Sequence, residues 1–516
     1  MSTQTRPVAP EPVDVVIYGA TLAGIMAALR LRLRGLSSVV LEPTGHVGGI
    51  VAGGLVKTDT PNTPEAMGGL TLTRFFHAIG AHYGQGDAID GPTYRFEPKV
   101  AERVALDLLA QAGATVHTHH RLHGPADVEV TGRRISAVRT TAGWQRATFF
   151  IDASYEGDLM AAAGVPYAVG RESRGTYDEP LAGFQPHLAY RRPGFAPLTG
   201  HPVGADPKLP AGEGDEKTQA YNFRGVLSVR EDRLPFPKPE GYDPAPYAYL
   251  RRLLEQRGVG GLSSIVTHTA LLPEGKYQTN QALFFGFDLP GVNWDYPDGS
   301  WARRDEIIAE QVRWHQGMLY WFANDPSLPE EFRSDACRFG LPPDEFPDSP
   351  HGQGFPHALY IREARRLVGA HVLTQHDLLK PGNTKATPVC CWKYGMDSHL
   401  VQYYPDPEDD GTVIGEGTLS GTSQNPPVDL YQLPAEMLFP ARGGVENLTV
   451  PLCFSASHVG YTSPRMEPNY GMLGEAAGEL AAQAVRLGRP VQDYDYPSLA
   501  AALREHGSVL SLPGLE

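Results

Sequence analysis

The sequence predicts an α/β fold: a nucleotide-binding domain with a parallel sheet, assembled from both ends of the chain, and an α+β domain inserted between its two parts. Three observations carry that expectation. Residues 13–43, VDVVIYGATLAGIMAALRLRLRGLSSVVLEP, read as strand, turn, helix and strand, and parallel strands need such a crossover helix. From 171 to 440 the composition shifts to proline, glycine and aromatics, with loops such as FQPHLAYRRPGFAPLTGHPVGADPKLPAGEGDE. Beyond 440 the first style returns, with a strand-like run at 448–453 and a glycine- and alanine-rich helix at 472–487. The expected organisation is a disordered leader over 1–12, the first part of the nucleotide domain over 13–170, the inserted substrate or cap domain over 171–440, the C-terminal part over 441–505, and a tail over 506–516.

Taken in order, 13–18 is a short apolar run of strand type, 22–33 is helical, and 39–42 is a second strand. Helical character returns at 72–82 and at 99–111, where Val100, Val104, Leu108 and Leu109 recur on one face. Residues 114–117, 135–140 and 147–151 read as strands, the last leading into DASYEGDL. Within the insert, 301–324 and 356–370 read as helices. There is no internal repeat.

With 516 residues, 41% of them hydrophobic, the chain can bury a large core. A formal charge of -15 argues against a general nucleic-acid binder, which needs a basic stripe to displace counterions. Residues 1–12 have no apolar stretch or twin arginine and no run reaches membrane-spanning length, so a cytoplasmic protein with no membrane partner is expected. Composition leaves the oligomeric state open. Cys337, Cys390, Cys391 and Cys453 form no C-x-x-C, which removes dithiol redox chemistry and paired-thiol zinc sites. Buried, inert thiols are the expectation, with a vicinal pairing of Cys390 and Cys391 as the alternative.

The turn YGATLAG keeps Gly19 and Gly24 of a G-x-G-x-x-G fingerprint and puts Thr21 in the middle place. In that fingerprint the glycines make the turn, admit a pyrophosphate and let the helix pack closely, while the helix N-terminus presents amides to phosphate. Glu42, at the end of the second strand, stands where a carboxylate accepts ribose hydroxyls. Thr21 is expected to bring a hydroxyl near the pyrophosphate. Alone, the turn fits an empty βαβ unit equally well. Two glycine pairs, Gly48 with Gly49 and Gly53 with Gly54, then suggest backbone lying along a longer ligand, which favours FAD over NAD.

From these residues onward the chain resembles the FAD-dependent oxidoreductases of the glutathione-reductase-like fold, a group loosely labelled FAD-dependent oxidoreductase or xanthan lyase-like. The motifs are YGATLAGI, LEPTGHVGGIVAGGL, FEPKVAERV, IDASYEGDLMAAAGVPY, QAYNFRGVLS, HALYIREARRLVGAHVLTQHD, YGMDSHLVQ and SASHVGYTSPRMEPNYGMLGEAAGELA, spread over about 13–487. The resemblance implies a Rossmann-like FAD-binding domain. It implies that Gly19, Thr21, Ala23 and Gly24 line the pyrophosphate, that Glu42 holds the adenosine ribose, and that His46, Gly48 and Gly49 pass along the ribityl and pyrophosphate region. Val116 becomes a backbone contact to adenine, and Asp152, Ala153 and Ser154 return to the cofactor. Glu467, Asn469 and Gly471 lead into a helix from Met472 whose N-terminus faces the flavin's pyrimidine end, where a positive dipole stabilises negative charge.

A flavin enzyme must place a substrate carbon, handle a proton and exclude water. His399 and His458 are the candidate proton-handling or orienting pair and Arg465 the candidate electrostatic clamp; a purely structural, domain-joining role is the alternative for each histidine. Asp397 is a candidate orienter of His399. His117, His119, His120 and His123 fit either a solvated strand end or, less well, a metal site lacking further ligands, so no metal is expected. His46 is a candidate for covalent flavin attachment. The arginines of IREARRLVG fit recognition of an anionic substrate or, better for arginines along a helix, surface or inter-domain pairs, and are left outside the site. The aromatics of 277–301 line or cover a substrate cleft, or pack a core. The expected function is hydride transfer from a C–H of a small organic substrate to FAD, with reoxidation by dioxygen or another acceptor. A monooxygenase or externally fed reductase, or a non-catalytic flavin-binding protein, is the alternative, and substrate identity stays open.

Overall fold

The structure, a computed structural model, describes residues 11–88, 90–193, 204, 208–266, 271–280, 287–419 and 425–515. Strand β1 (Val13–Tyr18) lies between β2 (Ser38–Leu41) and β6 (Gly143–Asp152), parallel to both, and β3 (Thr115–His117) extends the parallel set beyond β2. On the far side β7 (Leu448–Thr449) pairs parallel with Phe150 and Ile151 of β6, so the two chain ends share one sheet. β6 is long because it serves two partners. Its first residues pair antiparallel with β5 (Arg134–Thr140), which pairs with β4 (Val128–Thr131), whereas its last residues run beside β1. The apolar runs of β1 and β2 reflect a sheet covered on both faces.

Helix α1 (Leu22–Leu33) crosses from β1 to β2, and α2 (Pro98–Ala112) precedes β3. α1 packs against α4 (Glu467–Leu487), where the glycines matter: a side chain at Gly474 would strike the Ala23 carbonyl, and one at Gly478 would sit 2.8 Å from that of Ala27. Buried Arg30 on α1 pairs with Glu475 and Glu479 of α4, at 3.6 and 2.7 Å. The predicted helix at 301–324 is α3 (Trp301–Asn324), the spine of a second apolar core containing Leu250, Trp314, Trp321 and Phe332. Leu373, Trp392, Tyr431 and Phe439 instead belong to the first core beside α1 and α4, so the division between cores does not follow the compositional break at 440.

Three sequence expectations change. The run at 448–453 is strand only over Leu448–Thr449. The helix expected from 472 begins five residues earlier, at Glu467. The helix expected at 356–370 does not form: the segment is extended, bridging Asn222 through Tyr360 and pairing Arg366–Leu367 with Tyr167–Ala168. Every residue from Tyr360 to Leu367 is buried, which an extended strap between two bodies allows and a surface helix does not. Its ionic side chains explain the burial. Arg365 meets Asp158 and Asp298, each at 2.7 Å, Arg366 meets Glu172 at 2.7 Å, and Arg304 of α3 reaches the same Asp158 at 2.8 Å.

Cys390 and Cys391 sit as free thiols in the buried strand Pro388–Trp392, and burial pushes both thiols up. The carboxylates of Glu97, Asp344 and Glu345 converge on the Lys276 ammonium at 2.5, 2.8 and 2.7 Å, joining the first part of the chain to the insert. Among the described residues no helix is long and apolar enough to cross a membrane.

Candidate functional site

The site grows from the turn after β1. Gly19 has φ +104°, and a Cβ there would lie 2.5 Å from the Ala153 carbonyl oxygen at the end of β6. Only glycine allows both the turn and that approach. Gly24 lies against the Gly19 carbonyl, leaving no room for a side chain. Thr21 caps α1: its hydroxyl accepts from the Gly24 amide at 3.3 Å and donates to the Ala153 carbonyl at 2.8 Å. That corrects the expected role of its hydroxyl, which is committed to the scaffold and not turned toward a phosphate.

Glu42 is buried at the end of β2 and accepts hydrogen bonds from the Ala20 amide at 2.7 Å, the Thr44 amide at 2.8 Å and the Thr44 hydroxyl at 2.7 Å. Burial nonetheless raises its pKa. A carboxylate offers about four acceptor positions, so one remains for a ribose hydroxyl. Gly48 bonds back to the Ala20 carbonyl at 2.7 Å, and Gly49, at φ +61°, would place a Cβ 2.6 Å from the Tyr155 hydroxyl.

These residues open onto a cavity of about 570 Å³. Gly19, Thr21, Glu42, His46, Gly49 and Ser154 line it, together with Ile50 and Tyr155. Its further wall comes from the insert, through Tyr296, Trp301, Leu359 and Ile361. The cavity therefore runs from the Glu42 carboxylate past the glycine turn to the junction with the second core. A bare-backbone turn, an acid with a vacant acceptor position and a long polar-to-apolar cleft fit a flavin dinucleotide.

Other expected cofactor residues support this wall without lining it. Ala23 backs α1 onto Gly474, and Gly24 packs the turn. Asp152 organises its own loop, accepting from the Ser154 amide and hydroxyl and from the Met160 amide, and burial raises its pKa to about 6. Ala153 receives the Thr21 hydroxyl. Val116, expected to meet an adenine through its backbone, packs its side chain on the first core, and His119 and Arg121 line the cavity. Of the four histidines in 117–123, His119 alone lines the cavity; His120 bonds the Arg139 carbonyl at 2.8 Å, and 117–123 forms no helix. The His46 ring is stacked on His357 at 3.7 Å and bonded to Glu102 at 3.0 Å, which raises its pKa.

On α4, Gly471 lies against Thr71, Met472 is buried, and Asn469 donates to the Pro464 carbonyl at 2.7 Å. Glu467, the first residue of α4, takes the Tyr155 hydroxyl at 2.7 Å, so the helix start reaches the cavity wall through that tyrosine. Its second oxygen is buried without a partner. Burial, opposed only by the Tyr155 hydrogen bond, raises its pKa to about 8, so the carboxyl carries a proton at neutral pH.

The structure does not join His399 and His458 directly. His399 Nδ1 faces Asp288 at 2.5 Å, so Asp288, and not Asp397, orients it. Burial opposes ionisation of Asp288, yet Arg362 and His399 hold it well below the usual range; His399 itself is lowered by burial and by Arg362. His458 is nearly fully buried, with Nδ1 2.9 and 3.0 Å from the two oxygens of Glu363. Gln219 links the two, accepting from the His399 amide at 3.1 Å and donating to Glu363 at 2.8 Å. Arg465 donates to the Asp397 carbonyl at 2.7 Å and meets its carboxylate at 3.3 Å. Sequence reasoning missed Tyr155, Asp288 and Arg362. Asp288 follows a stretch of sequence rich in aromatics and carries no motif, whereas Arg362 was visible but read as a surface or inter-domain pair on a helix and left outside the site. Of the aromatic span, Tyr296 and Trp301 line the cavity; residues 281–286 lie outside the described residues.

The family model described as FAD dependent oxidoreductase matches residues 14–503. No curated protein sequence matches the chain. Solved structures similar to it include the L-amino acid deaminase from Proteus vulgaris, at 17% identity over 33% of this chain and 54% of that one, with a TM-score of 0.23. The OxyS anhydrotetracycline hydroxylase from Streptomyces rimosus matches at 16% identity over 36% of this chain and 42% of that one, with a TM-score of 0.24. The flavin-dependent brominase Bmp2 matches at 16% over 42% and 50%, with a TM-score of 0.25. The chain thus spans about half the length of these structures.

Proposed function

The chain belongs to the FAD-dependent oxidoreductase family, and on that premise we propose that it removes a hydride from a C–H of a small organic substrate held where the cavity meets the insert. FAD, when bound, supplies the electron sink for that hydride, and dioxygen or another acceptor empties it. The observation that carries this reading is the continuity of the cavity from Glu42, past Gly19 and Gly49, to Tyr155, Leu359 and Ile361.

The chain's own groups divide the remaining tasks. Glu42, the Gly19 turn and Gly49 hold the dinucleotide. His399 does not line the cavity, but with Asp288 on Nδ1 it keeps Nε2 as its proton-accepting atom, and on that ground we propose it as the general base. Its depressed pKa keeps that atom unprotonated at neutral pH. Glu467, protonated, holds a proton at the start of α4 beside the Tyr155 hydroxyl. His458 and Arg465 position the site: the first clamps Glu363 of the strap, and the second fixes the 397 loop.

The test is anaerobic mixing of the flavin-loaded protein with a panel of alcohols, amines and hydroxy or amino acids while following the flavin band. Bleaching by a C–H donor without NAD(P)H supports the reading, and His399→Gln should slow it at least tenfold while FAD stays bound. Reduction only by NAD(P)H, with oxygen atoms then entering a product, would replace it with a monooxygenase.

A further inference from the structure

Tyr360 of the strap is surrounded by three arginines. The guanidinium carbons of Arg224 and Arg362 each stand 5.0 Å from its ring centroid, and Arg465 Nη1 lies 3.5 Å from its hydroxyl. Their relative exposures are 4%, 1% and 2%, so all three are more than nine-tenths buried. Two carboxylates answer them. Asp288 takes Arg362 at 2.8 Å and shares itself with His399, and Asp397 takes Arg465 at 3.3 Å. Arg224 receives neither: its Nε and Nη1 are buried without a hydrogen-bond partner, and so is Nε of Arg362. Burial, reinforced by Arg224 and Arg465, pulls the Arg362 guanidinium below its ordinary value even with Asp288 beside it.

A buried guanidinium with bare donors is costly unless an anion arrives to meet it. The cluster lies directly behind the cavity wall. Leu359 and Ile361 line the cavity, and Tyr360 packs with Ile50 and Tyr155, which line it too. Arg224 itself backs onto Gly54, in the second glycine pair after Glu42.

We propose that Arg224, with Arg362 Nε and the Tyr360 hydroxyl, forms a carboxylate-binding subsite, so that the substrate is a small organic acid. The assignment to substrate rests on the oxidoreductase reading above; the anion site itself does not. Arginine suits the task because its donors stay charged and its planar group matches a carboxylate.

The test measures thermal unfolding of the holoprotein with sodium acetate, benzoate or succinate, at ionic strength matched with sodium chloride. At least one carboxylate should raise the midpoint saturably. In Arg224→Met that response should weaken by about tenfold or more. Without added anion, Arg224→Met should be as stable as the parent or more so, because it removes an unpaired buried charge; a merely structural arginine would give a loss. Arg224→Lys keeps a charge and should retain part of the response. No shift with any of the three acids, an equal response in Arg224→Met, or a response to inorganic phosphate alone would each overturn the proposal. Absence of flavin from the protein would defeat the cofactor reading but leave this test intact, because the midpoint needs no chromophore.

Discussion

At the Gly19 turn the chain is held by what its residues lack, whereas along residues 360–366 it is held by charge. The turn works because Gly19 and Gly24 have no side chain between a carbonyl and its neighbour, and Thr21 ties α1 to the end of β6. The strap works because Arg362, Glu363, Arg365 and Arg366 each meet opposite charge from another part of the chain. Steric vacancy is local and leaves a motif; charge pairing across 74 to 207 residues leaves none. The difference also separates the tasks, since the turn shapes a cofactor cradle and the strap aligns the insert against it.

The contrast can be broken most sharply at the strap. Asp158→Ala strands Arg304 in the interior and leaves Arg365 with Asp298 alone, and removing one partner of a buried pair costs about 3–5 kcal/mol. Denaturant titration reads it directly. At the turn, Gly24→Ala forces a methyl against the Gly19 carbonyl and should cost about 1–3 kcal/mol, with weakened flavin retention as its second signature.

Proton linkage gives the third effect. Glu467 holds its proton to about 8, and Glu475, Glu156 and Asp152 to about 7, 7 and 6. All four are raised by burial, so between the ordinary carboxylate range and pH 8 the folded chain binds more protons than the unfolded one. Stability therefore falls as pH rises through that window. Glu467→Gln should flatten the fall between pH 5 and 8 by on the order of 2 kcal/mol. Smallest is Thr21→Val, which removes the cap and the bond to Ala153 and should cost about 1 kcal/mol with FAD still bound; loss of FAD would return the hydroxyl to the phosphate.

Wherever the physics was local, the sequence carried the fold. β1 follows from its apolar run, α1 from its alanine- and leucine-rich composition, α2 from apolar periodicity, and Glu42 from its place at the end of the second strand. The 356–370 segment misled because its Arg, Glu and Ala content favours helix when alone, and tertiary burial decided otherwise. Asp288 had no local signature, and Arg224 stood in the motif QAYNFRGVLS with no role assigned to it. Their meaning comes from Arg362 and Tyr360, which reach them only in the folded chain. Thr21 was legible as a departure from the fingerprint, but its partner, Ala153, lies 132 residues away.

The central claim is that the Glu42 end and the glycine turn hold a flavin dinucleotide. Isothermal titration of flavin-free protein with FAD and with FMN tests it directly. The account predicts one FAD per chain, FMN at least tenfold weaker because it lacks the adenosine that Glu42 holds, and a Glu42→Ala variant in which FAD falls toward FMN. Equal binding of FMN and FAD, or no uptake of FAD, would contradict it.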